Sequence, residues 1–296
     1  MRTGIVVAVV AVVAVLALIA LHTRHAGEAP PSSQAGEGLL IVVTFPNLKY
    51  DVEQLVCSGD SVVSIVPLGV DPHQFQLTPE ALRLIKRADL VISTGHAPFE
   101  VRIRDIVKPE KLVEIPKVPG IHLLTNPDTG KPNYHMPIYD PGNYRAFIDY
   151  VALKLGQLRP SCKTVYEEKR ANLIAELEKL LAEAPRLNAT AVGSAPPVQY
   201  AVEWLGLRVA LLLAPEHNVP PTSRTIKEAE KLLREGAVAV VMVHGGEPVT
   251  PADSKLSQMA KDAEAPVLSV PPPYAPGSVL EKLRAIVEEA RGIAGR

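Results

Sequence analysis

Two prolines, Pro160 and Pro185, bracket a stretch of uninterrupted helical pattern. Leu173, Leu177, Leu180 and Leu181 recur along one side of it. A helix over 161–184 would be about 36 Å long at 1.5 Å per residue, enough to run the length of a small domain or to join two. On both sides the chain alternates short aliphatic runs with amphipathic helices. Before it, strand-like runs fall at 39–44, 62–66, 90–93 and 112–115. Thr78 caps a helix with Pro79 at its first position, and Asp140-Pro141 opens another over 141–158. After it, strands are expected at 189–192, 209–213, 238–243 and 267–270. Helices are expected at 197–205, from Thr225-x-x-Glu228, over 254–263, and from Ser278-x-x-Glu281. Alternation of this kind predicts an α/β fold: two (βα)4-like lobes with parallel sheets, joined by a long linking helix, with a cleft between them. The domain expectation is an N-terminal lobe at 39–160, the linking helix at 161–185 and a C-terminal lobe at 186–296.

The first 38 residues read differently. Arg2 precedes an uncharged apolar run to Leu21, just long enough to span a bilayer. A signal anchor is the first expectation for 1–21 and a cleaved signal peptide the second. Residues 22–38, with Pro30, Pro31, Ser32 and Ser33, read as a flexible tether. The chain is then expected in the cell envelope on the extracytoplasmic face, anchored by a transmembrane helix or secreted. No Cys follows the apolar run closely, so a lipidated cysteine is not the expected anchor. Cys57 and Cys162 are the only cysteines. Export would permit them to pair, sequence leaves the pairing open, and they lack the C-x-x-C spacing of a thiolate zinc site. The 31 Lys and Arg balance 32 Asp and Glu. A near-neutral chain of this kind gives no electrostatic footprint for nucleic acid.

Chemistry-bearing residues concentrate in loops after strands, where open α/β sheets bind ligands. His73 lies in Leu68-Gly69-Val70-Asp71-Pro72-His73, between a strand and the Thr78 helix. His96 follows the 90–93 strand. His135 sits in a Pro/Asn/Tyr-rich loop ahead of the Asp140 helix. His244 ends the 238–243 run and leads into Gly245-Gly246-Glu247. Each alone is an ordinary surface histidine, but their shared placement points to a metal site, since neutral imidazole is the commonest metal ligand. His122, His22 and His25 lack such a setting and read as surface or tether residues. No H-E-x-x-H, G-x-S-x-G or P-loop is present, so a zinc hydrolase or an ATPase is not expected.

These residues carry a resemblance. Gly59-Asp60-Ser61-Val62, Val66 through the Asp71-Pro72-His73 loop, Thr78-Pro79, Ala88-Asp89-Leu90-Val91 and Gly95…Glu100 resemble the zinc/manganese-binding solute receptors of metal ABC importers. His135…Asp140-Pro141…Asn143, Tyr166…Asn172 and Tyr200…Gly206-Leu207 extend it over nearly all of the chain from Leu39. The resemblance implies two lobes on a rigid linking helix. It also implies a monomer that captures Zn2+ (or Mn2+) as transported ligand and docks on a cognate ABC permease at the membrane. It implies no enzymatic step. His73 and His135 match the family's first two ligands. The third ligand position holds Ala195, which has no ligating atom. The resemblance puts the fourth at the end of the 238–243 strand, where His244 stands with Glu247 just beyond. His96, Glu216, His217 and Glu247 are the candidates to replace the missing ligand. A nitrogen-rich set suits zinc better than manganese, which favours carboxylate oxygen. The alternative is an envelope receptor or adhesion module of the same fold that no longer binds metal, favoured by Ala195.

Overall fold

A computed structural model describes residues 38–67, 75–216 and 219–295. The His73 loop, His217 and the N-terminal apolar run therefore lie outside the described residues. Two parallel sheets organise what is described. In the first, β1 (Leu40–Val43) is flanked by β2 (Ser61–Ser64) and β3 (Leu90–Ser93), and β4 (Leu112–Glu114) lies beyond β3. In the second, β5 (Ala189–Gly193) is flanked by β6 (Leu207–Leu212) and β7 (Val238–His244), with β9 (Val267–Val270) beyond β7. The strand order is the same in both, 2-1-3-4 in local numbering. Each sheet thus has a crevice where its order reverses, at the carboxyl ends of β1 and β3 and of β5 and β7. A two-residue strand, β8 (Glu247–Pro248), folds back antiparallel on the end of β7. The central strands are aliphatic on both faces and buried on both, as helix-covered parallel strands require.

Nine helices of one and a half turns or more are found among the described residues. They are α1 (Pro46–Glu53), α2 (Pro79–Arg87), α3 (Pro98–Ile103), α4 (Pro141–Leu158), α5 (Lys163–Glu183), α6 (Pro197–Val202), α7 (Ser223–Arg234), α8 (Pro251–Asp262) and α9 (Val279–Ala294). The expected caps hold for α2, where Thr78 accepts from Ala81 N, and for α4, where Asp140 accepts from Asn143 N. They hold also for α9, where Ser278 and Glu281 form a reciprocal box. Three starts differ from expectation. Helix α7 is capped by Thr222, so Thr225 is its third residue and supplies the N–H that Thr222 accepts. Helix α8 begins earlier, at Pro251, because Thr250 caps it and Asp253 completes a reciprocal box. The linking helix α5 begins at Lys163, because Pro160–Cys162 forms a 3-10 turn first. Helices α1 and α3 were not expected. In α1 the buried face carries Asn47 and Asp51, which hides its apolar periodicity.

The linking helix is fastened at its start. Cys57 and Cys162 form a disulfide. Beside it the Asp60 carboxylate accepts from Leu39 N (2.8 Å), Cys57 N (2.9 Å), the Arg159 guanidinium (2.8 Å) and the Tyr166 hydroxyl (2.7 Å). Burial and the adjacent carboxylate push the Tyr166 hydroxyl pKa up. The last helix returns to the first: the Asp51 carboxylate on α1 accepts from Val279 N and from the Tyr144 hydroxyl, each at 2.9 Å. One apolar core runs through both sheets, α4, α5 and α9. A smaller cluster of Val192, Leu211, Leu233, Leu256 and Met259 lies under α7 and α8. Among the described residues no helix is long and apolar enough to cross a membrane.

Candidate metal site

The β3–α3 turn holds His96. Gly95 takes φ +81, a left-handed conformation in which any side chain would be strained, and its carbonyl accepts from Arg104 (3.0 Å), itself paired with the buried Glu114. Glu100, almost fully buried, gathers five donors. Its Oε1 accepts from Ser93 Oγ (2.9 Å) and Thr94 N (2.8 Å). Its Oε2 accepts from Thr94 Oγ1 (2.6 Å), His96 N (3.1 Å) and Ala97 N (3.0 Å). That carboxylate shapes the whole turn. The His96 ring Nδ1 lies 3.3 Å from Thr94 Oγ1.

His135 is placed by a different route. Residues 122–135 precede α4 in sequence, yet their hydrogen bonds go mostly to the half of the molecule built on the second sheet. Asn126 Nδ2 donates to Pro215 O (2.9 Å), and Leu212 N donates to Asp128 Oδ2 (2.7 Å). Asn133 Nδ2 donates to Pro196 O (2.9 Å) and Gln199 Oε1 (3.0 Å). The Tyr200 hydroxyl accepts from Leu124 N (2.9 Å) and donates to Asn133 O (2.6 Å). Burial pushes the Tyr200 pKa up. Gln199 continues the chain to Glu203 Oε1 (3.2 Å), whose carboxyl burial also pushes up, partly offset by that amide. Asn133 Oδ1 accepts from His135 N (3.0 Å) and lies 3.2 Å from His135 Nδ1. Met136, next along, is left-handed at φ 55 and is held by Asn47 Nδ2 on its sulfur (3.6 Å). Asn143 closes the segment by bonding both backbone groups of His122 and the Pro137 carbonyl.

These two routes converge. The His96 and His135 rings meet edge to face, with centroids 4.8 Å apart. Both are half-buried. Their meeting joins a turn of the first sheet to a segment docked on α6. Ala195 begins the turn whose Pro196 carbonyl binds Asn133, so the position without a ligating atom lies beside the support of His135. His244 and Glu247 face each other across the β7–β8 hairpin, and both are exposed. Glu216 and His122 are exposed as well. The end of β9 also reaches this segment, where Pro271 O accepts from the Tyr139 hydroxyl (3.0 Å). The residues there, Pro271, Pro272 and Pro273, offer no ligating side chain. Among the described residues no group of three or more His, Cys, Asp and Glu comes together. Thr94, Asn133 and Gln199 were missed as functional residues. Thr94 and Asn133 carried a signal, a short polar residue two positions before each histidine, whereas Gln199 carried none.

Comparison with known proteins agrees with this architecture. A putative metal-binding protein of Thermotoga maritima is 26% identical over 263 residues, covering 86% of this chain and 93% of that protein. The manganese ABC transporter substrate-binding lipoprotein PsaA of Streptococcus pneumoniae is 25% identical over 257 residues, with 80% and 81% covered. PsaA is named a lipoprotein, whereas the two cysteines of this chain are joined to each other. Among solved structures, the SBP FpvC of Pseudomonas aeruginosa in complex with Mn2+ superposes with a TM-score of 0.69. Its identity is 20%, with 86% of this chain and 99% of that one covered. A mutant of the laminin-binding adhesin Lmb of Streptococcus agalactiae gives 0.68 at 21% identity, covering 85% and 97%. Both share the fold. The family profile of the periplasmic zinc-uptake complex component A, ZnuA, matches residues 41–280, and this chain belongs to that family.

Proposed function

We propose that this chain is the substrate-binding component of a metal ABC importer, capturing a divalent transition ion outside the cytoplasm and passing it to a membrane permease. The observation that carries this is the His96–His135 contact in a chain of the ZnuA family. Two imidazoles side by side, each with Nδ1 on a polar oxygen, form the nitrogen half of a transition-metal site. His73, matched by resemblance, is proposed as the third ligand. His96 is proposed to take over from the position now held by Ala195. His244 and Glu247 are not part of this set. The disulfide fits an oxidising, extracytoplasmic compartment, and we propose the N-terminal apolar run as the anchor. A relative named for manganese, PsaA, makes ion choice the finer question. A ligand set built on imidazoles suits zinc better than manganese, which favours carboxylate oxygen, so zinc is the proposed cargo.

Calorimetric titration of the metal-stripped full-length protein in mild detergent tests this. Zinc outcompetes manganese at most nitrogen and oxygen sites, so the diagnostic result is one-to-one zinc binding without measurable manganese binding. His96→Ala and His135→Ala should each weaken zinc at least tenfold, and His244→Ala should not. No saturable binding of either ion would sink the reading. It would favour the second one, a metal-free receptor or adhesion module, for which Ala195 and the adhesin Lmb's fold speak.

A further inference from the structure

We infer that Thr94 and Asn133 are positioning residues that hold His96 and His135 in the same tautomer, with hydrogen on Nδ1, so that both rings offer Nε2 to the ion. The inference rests on the metal-binding reading above for its purpose, but not for its geometry.

Thr94 has one hydroxyl hydrogen. Its Oγ1 lies 2.6 Å from Glu100 Oε2. Four further donors crowd the same carboxylate, so it is an acceptor throughout and the threonine hydrogen is committed to it. Toward His96 Nδ1, at 3.3 Å, Thr94 Oγ1 can then only accept. The ring nitrogen facing it must carry the hydrogen.

Asn133 reaches the same result by other chemistry. Its amide orientation follows from its neighbours. One side faces the Pro196 carbonyl, which only accepts, so that side is Nδ2. The other side is therefore Oδ1, already accepting from His135 N. A carbonyl oxygen 3.2 Å from His135 Nδ1 requires a hydrogen on that nitrogen as well. The direction continues outward, from Asn133 to Gln199 and from Gln199 to Glu203. Each imidazole thus begins a one-way chain of donors that ends on a glutamate, through one residue in the first case and two in the second. A neutral imidazole with hydrogen on Nδ1 carries its lone pair on Nε2. In water the opposite tautomer is the more populated one, so the protein has reversed the preference at two neighbouring rings by unrelated means. Metal-binding histidines characteristically donate their second nitrogen to such an oxygen, and loss of that partner typically costs 10–100-fold in affinity.

The test uses the metal-free full-length protein with 15N-labelled histidine, at mildly alkaline pH. Long-range 1H–15N correlations distinguish the two tautomers directly. The native protein should show the Nδ1–H form at both rings. Thr94→Val, which keeps the shape and removes the hydroxyl, should shift His96 to the Nε2–H form and weaken zinc binding about 10–100-fold. Thr94→Ser should restore both readouts, which a merely structural role for the threonine would not require. Asn133→Asp, retaining the accepting oxygen, should keep the His135 tautomer. An Nε2–H signal from either ring in the native protein overturns the inference. So does a Thr94→Val protein with native tautomer and native affinity. If Thr94→Val fails to fold, the native spectrum together with Thr94→Ser decides the question. A native protein that shows both Nδ1–H forms yet binds neither zinc nor manganese would defeat the metal reading alone and leave the tautomer assignment standing.

Discussion

Val279, the first residue of α9, donates its backbone N–H to the Asp51 carboxylate on α1 at 2.9 Å, which ties the last helix of the chain to the first. Asp51 is fully buried, and its Oδ2 has no hydrogen-bond partner among the described residues. Burial pushes the Asp51 carboxyl from its ordinary 3.8 up to about 7, against the pull of Val279 N–H, Tyr144 and Lys282. Lys282, on α9 and also buried, is pushed from 10.5 down to about 8 by the same loss of water, against the attraction of Asp51. Desolvation outweighs attraction for both partners.

The sign of the pH dependence follows. A raised carboxyl pKa means that the folded state keeps a proton the unfolded chain has released. Its stabilisation is complete below about pH 4 and is lost as pH rises through about 7, at most roughly 4 kcal/mol. Lys282 acts in the other direction, its contribution being lost as pH falls through about 8. Asp51→Asn is neutral at every pH. The stability advantage of the native protein over this variant should therefore shrink between about pH 4 and pH 7. Urea unfolding of both at several pH values would show it, and a difference that stays flat with pH would refute it.

Asp60 serves four donors from three parts of the chain. Asp60→Ala strands two backbone N–H groups, and leaves Arg159, only 13% exposed at its side chain, without its carboxylate. The expected loss is about 3–5 kcal/mol in chemical unfolding, as for breaking a buried pair by removing one partner. A loss below about 1 kcal/mol would mean that water or neighbouring groups replace the carboxylate.

The Cys57–Cys162 bond closes a loop with a sequence separation of 105. Chain entropy alone assigns such a loop roughly 4–5 kcal/mol. Reduction should lower the thermal midpoint by many degrees while leaving the metal site formed. Thermal scans with and without reductant, followed by zinc titration of the reduced folded protein, would check both halves of the statement.

Tyr200→Phe removes one hydroxyl that joins Leu124 N to Asn133 O. Two backbone groups lose their partner, a cost of about 1–3 kcal/mol. Because the same hydroxyl supports the residue behind His135, zinc affinity should fall as well. Native affinity in a destabilised variant would show that the segment holds its shape by its remaining bonds.

Much of this was legible in the sequence, and the limits have physical reasons. Strands with aliphatic runs, and helices opened by Thr78, Asp140 and Ser278, announce themselves through burial pattern and cap chemistry, which are local. Helix α7 shows where local reading slips: Thr222 and Thr225 are both plausible caps, and the rest of the fold decides between them. The candidate site was legible only as a set of loop histidines. Which of them meet depends on the docking of residues 122–135 onto α6 and β6, set by Asn126, Asp128 and Asn133 through partners 63 to 89 positions away. No short-range pattern encodes such partners. His244, a strand-end histidine followed by two glycines, reads as a ligand in the sequence, and the structure places it exposed on the β7–β8 hairpin.

The docking of residues 122–135 has a mechanical consequence. One imidazole of the pair is fixed to the body that carries the first sheet, and the other is fixed through Asn133 to the body that carries the second. The distance between them is then a gauge of how tightly the two bodies are pressed together. If the pair holds the ion as proposed, a permease that eased the two halves apart would loosen it without touching either ring. A measured dissociation constant would, in the same way, report strain applied anywhere along the joint.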